Sequence, residues 1–440
     1  MSMLEIEGGH KLEGKIRISG SKNAGLAVLA GSLLCDKLIT FVGLPDINDI
    51  FSMNQLLVDL GSKISFDATK IKKYDVNHPV MTIDNSNITK YVAEYDFVKK
   101  MRASIFVLGP LLSRFGRAKV SMPGGCAIGV RAVDLHIKGL EAMGAKIEIN
   151  NGYIDAEAKN GLTGCEFEFP KDRVPSVGAT ENLLTASVLA KGRTILKHVA
   201  KEPEIVALAE FLISMGAKIK GHGTDIIEVD GVTIDELHST EYQVPADRIE
   251  AGTFAIATAI TDGHVYLKNC DMSLFDCVKK EFNTIGIGLK EVEDDGKKCI
   301  YVYKSHDFQP CDISTAVYPG FPTDLQAQIM IPLLSTKGTS QVKENIFENR
   351  FMHVAELNRM GANITIQGNT ATIKGNTTLK SANLMATDLR ASASLVLASL
   401  IVEGTSSIDR IYHLDRGYEN LELKLNNCGA KIRRIAKTIM

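Results

Sequence analysis

The chain has 440 residues, 45% of them hydrophobic and 23% charged, the composition of an ordinary globular protein rather than a disordered or fibrous one. That length is too great for one core, so two domains of roughly 200 residues each are expected. A formal net charge of −2 leaves no basic footprint for nucleic acid, so any anion must be held by local clusters of cations. The eight cysteines, at 35, 126, 165, 270, 277, 299, 311 and 428, form no C-x-x-C pair and no metal-ligand spacing, which favours reduced thiols in a cytoplasmic protein. The N-terminus lacks a charged-then-apolar signal pattern and no apolar run approaches about 18 residues, so neither export nor membrane insertion is expected.

Taken in order, the elements repeat. A phrase at the end of a helical segment recurs as Leu60-Gly61-Ser62-Lys63-Ile64, Met143-Gly144-Ala145-Lys146-Ile147 and Met215-Gly216-Ala217-Lys218-Ile219. It returns as Ile285-Gly286-Ile287-Gly288-Leu289, Met360-Gly361-Ala362-Asn363-Ile364 and Cys428-Gly429-Ala430-Lys431-Ile432. The marker glycines stand 83, 72, 70, 75 and 68 residues apart, giving six units of roughly 70 residues. Each unit reads as a small-residue apolar helix, a short strand, an amphipathic helix ending at the marker glycine, and one or two β-rich stretches. The period is too long for an ordinary solenoid, so two α/β domains of three units each are predicted.

The first helices of the units start near Lys22-Asn23, Arg102, Ser176-Val177-Gly178, Asp247-Arg248, Asp324 and Asp388-Leu389-Arg390. Ser and Asp at such places are ordinary N-caps, a reading that covers Asp324 and Asp388. It does not cover Lys22, Arg102, Arg248 and Arg390, because a cation at a helix N-terminus opposes the macrodipole. Cations repeated there suggest a shared site for phosphate or carboxylate, to which Arg131 and Arg416 would add.

Two residues are candidates for proton chemistry. Cys126 lies in the glycine-rich stretch Pro123-Gly124-Gly125-Cys126-Ala127-Ile128-Gly129-Val130-Arg131, on a pliable loop beside a cation that would lower its thiol pKa from about 8.5. The same stretch is equally readable as a flexible turn with an incidental cysteine. Asp324, at a proline-bounded helix start, could accept a hydroxyl proton or simply cap the helix. His136 reads as structural. No Walker loop, Rossmann glycine signature, kinase set or G-x-S-x-G elbow is present.

Several stretches together resemble the UDP-N-acetylglucosamine 1-carboxyvinyltransferases, a family of enolpyruvyl transferases. They are Ser19 to Asn23, Met101 to Ser104, Pro123 to Cys126, Arg131 to His136, Ser176 to Thr180, Phe321 to Gln328, Phe347 to Met352, Ala386 to Ser392 and Asp415 to Tyr418. The match is collinear over essentially the whole chain. The resemblance implies two inside-out α/β barrel domains, each of three units, with the active site in the cleft between them. It also implies that the chain starts in one domain, builds the other and returns, giving 22–242 against 1–21 plus 243–440.

The implied reaction moves the enolpyruvyl group of phosphoenolpyruvate to the 3'-hydroxyl of UDP-N-acetylglucosamine and releases phosphate, the first committed step of bacterial peptidoglycan synthesis. By motif match, Lys22, Asn23, Arg131, Arg390 and Arg416 resemble the phosphoenolpyruvate-binding set. Arg102, Arg131, Ala132, Val133, Asp134, Leu135, Ser176, Val177, Gly178, Asp324 and Ile346 resemble the nucleotide-sugar contacts. Cys126 resembles the proton donor, which can form an adduct with phosphoenolpyruvate and is alkylated by fosfomycin; Asp324 resembles the general base. No metal or organic cofactor is implied, and the partners implied are the two small-molecule substrates.

Two departures stand out. Ala132 replaces the proline commonly found after this arginine, restoring φ freedom to the loop. The lysine that some members place two residues before the serine is missing from Lys171-Asp172-Arg173-Val174-Pro175-Ser176, and Lys171 or Arg173 could stand in for it. A sister transferase acting on shikimate phosphate would share the repeat but lack the cysteine loop. A non-catalytic paralogue would have lost Cys126 or Asp324, and both are present.

Overall fold

The computed structural model describes residues 2–74, 76, 79–99, 101–122 and 133–436. Among the described residues the strands form six four-stranded sheets, and one repeat shows how each is made. Strand Val92–Ala93 leads through a 3-10 turn Arg102–Val107 and helix Leu108–Phe115 to strand Arg117–Ser121, which lies parallel to the first. Parallel neighbours need a crossover, and the helix supplies it. Helix Asp134–Ala142 then leads to the hairpin Lys146–Asn150 and Tyr153–Glu157, whose second strand pairs antiparallel with Arg117–Ser121. All six sheets keep this order: leading strand, strand after the first helix, last strand, third strand.

Alternation along the strands puts one sheet face inward and leaves the other wet. In Arg193–Lys197, for example, Thr194 and Leu196 are fully buried while Arg193 is exposed. The first helices behave differently. Every residue from Ala24 to Gly31, from Ala179 to Ser187 and from Ala391 to Leu400 is buried, so these helices are covered on all sides. Their Ala, Ser, Gly and Leu content permits that, because small side chains let neighbouring helices and sheets approach closely. Helices lie inside and sheets outside, an inside-out α/β arrangement. Among the described residues no helix is long and apolar enough to cross a membrane.

The chain divides into two compact units, one of residues 2–19 and 246–436 and the other of described residues within 20–245. Strand exchange marks the division. Glu13–Arg17 precedes helix Lys22–Gly31 in sequence but pairs with His264–Lys268, while Thr240–Gln243 precedes helix Arg248–Ile260 but pairs with Ile39–Val42. Ser2–Glu7 fills the last-strand position of the sixth repeat, antiparallel to both Thr405–Asp409 and Lys431–Ala436. Each unit has three sheets and its own hydrophobic core.

The six marker glycines all have positive φ, between +91° at Gly144 and +119° at Gly61. Each ends the second helix of its repeat and turns the chain into the third strand. Two of them differ in surroundings: a Cβ at Gly144 would meet nothing within 4 Å, whereas one at Gly61 would lie 2.5 Å from the Asn87 carbonyl oxygen. Gly144→Ala is therefore expected to cost only the backbone strain, about 1 kcal/mol, and Gly61→Ala at least about 2 kcal/mol because the backbone contact adds to it. Urea unfolding of the two variants checks this; equal losses would contradict it.

Candidate active site

The helix starts singled out by charge are helix starts in the structure. Asp388 caps helix Leu389–Leu400, accepting from the Arg390 and Ala391 amides at 2.9 and 3.0 Å. Asp247 caps Arg248–Ile260 in the same way, at 2.8 and 3.0 Å. Asp324 does not, which corrects its reading as a plain N-cap. It lies inside the short 3-10 turn Thr323–Leu325, which has no side-chain cap, and its carboxylate is taken by two arginines instead.

Arg350 Nη2 donates to Asp324 Oδ1 at 2.6 Å, and Arg390 Nη2 donates to Oδ2 at 2.9 Å. Both guanidiniums are buried, at 5% and 4% side-chain exposure, while Asp324 keeps 24%. Burial alone would raise the Asp324 pKa, but Arg390 and Arg350 override it and hold the carboxyl well below the ordinary carboxylate range. The result is an ionised, partly accessible carboxylate beside two cations. Arg390 also lies over the Tyr418 ring, 5.5 Å from its centroid. The Tyr418 hydroxyl bonds Thr253 at 2.8 Å and accepts from Gln328 at 3.1 Å. Arg416 closes the 3-10 turn Ile411–Arg416 two residues earlier.

Ile346 follows the strand Thr339–Lys343, which pairs with Ile313–Ser314 on one side and Thr370–Lys374 on the other, and is held by its backbone. The buried Glu344 accepts from the amides of Ile346 at 2.8 Å and Phe347 at 3.2 Å, and from the hydroxyls of Thr315 and Thr323 at 2.8 and 2.9 Å. Arg350 and Glu344 were not among the residues picked from sequence. Arg350 had a signal, since it lies in the Phe347 to Met352 stretch that resembles the family; Glu344 had none.

In the other unit, Lys22 opens helix Lys22–Gly31, capped by Ser21, and its ammonium lies 3.2 Å from the buried Asp49 carboxylate. Asn23 follows it, half-buried. Ser176 caps Val177–Ser187 by accepting from the Ala179 amide at 3.2 Å. A Cβ on Gly178 would lie 3.2 Å from Phe106 and 3.6 Å from His136, so this helix start sits against both. Arg102 begins the 3-10 turn whose residue Ile105 accepts from Asn182 Nδ2 at 3.2 Å. Val133 and Leu135 are buried, and Asp134 opens helix Asp134–Ala142. Of the two basic candidates near 171–173, Arg173 meets Asp134 at 2.8 Å, whereas Lys171 pairs with Glu168. Cys126, Arg131 and Ala132 lie outside the described residues. Arg248 sits 3.8 Å from Cys277 Sγ, with Tyr318 nearby.

His136 is buried and its Nδ1 lies 2.9 Å from Asn182 Nδ2. Desolvation, then the charge of Arg102, push its pKa down to about 4 against an opposing pull from Asp134. The ring therefore binds its proton more weakly in the folded chain than in the unfolded one. The stability gained by keeping it neutral is complete above about pH 6.5 and is lost as pH falls towards 4. Urea unfolding of His136→Gln is expected to show a flatter pH dependence between 6.5 and 4, by up to about 3 kcal/mol; a slope unchanged from the parent would contradict the assignment.

The chain is similar to known proteins over nearly its whole length. The family model for EPSP synthase (3-phosphoshikimate 1-carboxyvinyltransferase) matches residues 6–425. A UDP-N-acetylglucosamine 1-carboxyvinyltransferase of Thermodesulfovibrio yellowstonii is 51% identical over 436 residues, covering 99% of this chain and all of that one. One of Saccharophagus degradans is 49% identical over 441 residues, again covering 99% of this chain and all of that one. Among solved structures, the enolpyruvyl transferase NikO from Streptomyces tendae superposes with a TM-score of 0.86 at 22% identity over 98% of both chains, sharing the fold. EPSP synthase from Acinetobacter baumannii gives 0.73 at 18% identity over 99% of this chain and 100% of that one. The chain belongs to the EPSP synthase family of enolpyruvyl transferases, with the UDP-N-acetylglucosamine 1-carboxyvinyltransferases as its half-identical relatives.

Proposed function

We propose that this protein transfers the enolpyruvyl group of phosphoenolpyruvate to the 3'-hydroxyl of UDP-N-acetylglucosamine with release of phosphate, the first committed step of peptidoglycan synthesis in the cytoplasm. Near-half identity over the full length of relatives so named carries the substrate assignment. The Asp324 site supports the chemistry, since an ionised carboxylate between two guanidiniums suits a reaction between an alcohol and an anionic enol ether.

The reaction is an addition followed by an elimination. Cys126 gives a proton to C3 of the enol, Asp324 takes the proton of the 3'-hydroxyl, and the sugar oxygen bonds to C2. The C2–phosphate oxygen bond then breaks, C3 returns a proton, and inorganic phosphate leaves with the double bond restored. Arg390, whose guanidinium faces Asp324, binds phosphoenolpyruvate together with Lys22, Asn23, Arg131 and Arg416. Arg102, Arg131 to Leu135, Ser176 to Gly178 and Ile346 hold the nucleotide sugar. A general base with a depressed pKa is a weak base but is wholly ionised at neutral pH, so its task is to accept the hydroxyl proton as the carbon–oxygen bond forms.

Phosphate release on mixing the protein with both substrates tests the reading. Asp324→Ala is expected to bind UDP-N-acetylglucosamine but to turn over about 100-fold or more slowly; turnover near that of the parent would remove the base from Asp324. Fosfomycin is expected to add once and irreversibly at Cys126, faster with the nucleotide sugar present. Intact mass and peptide mapping read this out, and an unmodified Cys126 would count against the donor role.

A further inference from the structure

We propose that Glu344 is a positioning residue for this reaction: its buried carboxylate sets the Ile346–Phe347 backbone and, through Thr323 and Arg350, aims the Asp324 carboxylate. The inference rests on the functional reading above, which makes Ile346 a nucleotide-sugar contact and Asp324 the base.

The chain of bonds is continuous. Glu344 Oε1 accepts from the Thr315 hydroxyl and from the Ile346 and Phe347 amides, and Oε2 accepts from the Thr323 hydroxyl. A hydroxyl has one proton, and Thr323 directs it to Glu344, so its lone pairs face Arg350 Nη1 at 2.9 Å. The guanidinium is planar and rigid, so seating Nη1 on Thr323 fixes Nη2 against Asp324 Oδ1. Only 3% of Glu344 is exposed, and burying a carboxylate is costly unless its oxygens are bonded. Four donors do this here.

An amide cannot substitute. A carboxylate accepts at both ends, whereas Gln presents an NH2 at one of them. Turned towards Thr323, that NH2 would donate to the hydroxyl, swing its proton towards Arg350 and break the link to Asp324. Turned the other way, it would confront the Ile346 and Phe347 amides with another donor. Either orientation separates the acceptor-binding backbone from the base. Thr323→Val is the cleaner cut, because it removes the relay and leaves the Ile346 and Phe347 bonds intact.

The experiment compares the parent with Thr323→Val, Thr323→Ser and Glu344→Gln by kcat, by KM for UDP-N-acetylglucosamine, by the pH profile of kcat and by thermal midpoint. Thr323→Val is expected to lower kcat about tenfold or more while KM for the nucleotide sugar stays within about twofold. The acid limb of its kcat profile is expected to move to higher pH, because Asp324 loses the aim of one of the two cations that hold its pKa down. Thr323→Ser keeps the hydroxyl and is expected to restore both kcat and profile; Glu344→Gln is expected to lower kcat/KM about tenfold or more. Profiles that superpose on the parent, with kcat falling only in step with thermal midpoint, would overturn the proposal while the functional reading stands. A parent that releases no phosphate from the two substrates would overturn that reading and this inference with it.

Discussion

Two buried guanidiniums depend on one carboxylate. Arg350 and Arg390 come from positions 26 and 66 residues away from Asp324, and their side chains are only 5% and 4% exposed. Removing one partner of such a buried pair leaves a charge that its surroundings cannot solvate, which costs far more than the pair itself contributes. The three residues therefore hold one another, and the turn at Thr323, the loop from Glu344 to Arg350 and the start of helix Leu389–Leu400 are held with them. One negative and two positive charges leave a net positive site, which is what an anionic substrate requires.

The fold makes such a meeting possible. A four-stranded sheet with one wet face buries only its other face, and the first helices packed there are largely small-residued, with Ala24 to Gly31, Ala179 to Ser187 and Ala391 to Leu400 buried throughout. The charged and capping side chains singled out from sequence stand at helix starts and the loops beside them. Arg390, Lys22, Arg102 and the Ser176 to Gly178 segment all follow this pattern. Repetition supplies several equivalent helix starts, and divergence among them supplies different chemistry at each.

Cations at these starts oppose the helix dipole, and from sequence this suggested a shared anion site. The structure changes the balance of that argument. Lys22 is already met by Asp49 and Arg390 by Asp324, so part of the repulsion is answered within the protein. The nearby acids keep these cations ordered and lower the net positive charge around them. Arg173 against Asp134 follows the same logic on the surface, where the pairing is weaker because water competes for both groups.

By itself the sequence determined the six repeats, the marker glycines at the helix ends, and the helix starts where charged and capping residues gather. All of these are local: period, propensity and capping are written within a few turns of chain. It also held the motifs whose resemblance led to the enolpyruvyl transferase family. Only the tertiary structure decided that Asp324 is an arginine partner and not a cap, that Asp49 answers Lys22, and that Glu344 joins Ile346 to Thr323. It likewise decided in detail which strands exchange, with Glu13–Arg17 and Thr240–Gln243 each pairing outside its own repeat. The physical reason is the same in every case. A buried charge is satisfied by whichever group the sheet registers and helix packing bring within hydrogen-bond reach, and that distance in space is not encoded in the spacing along the chain.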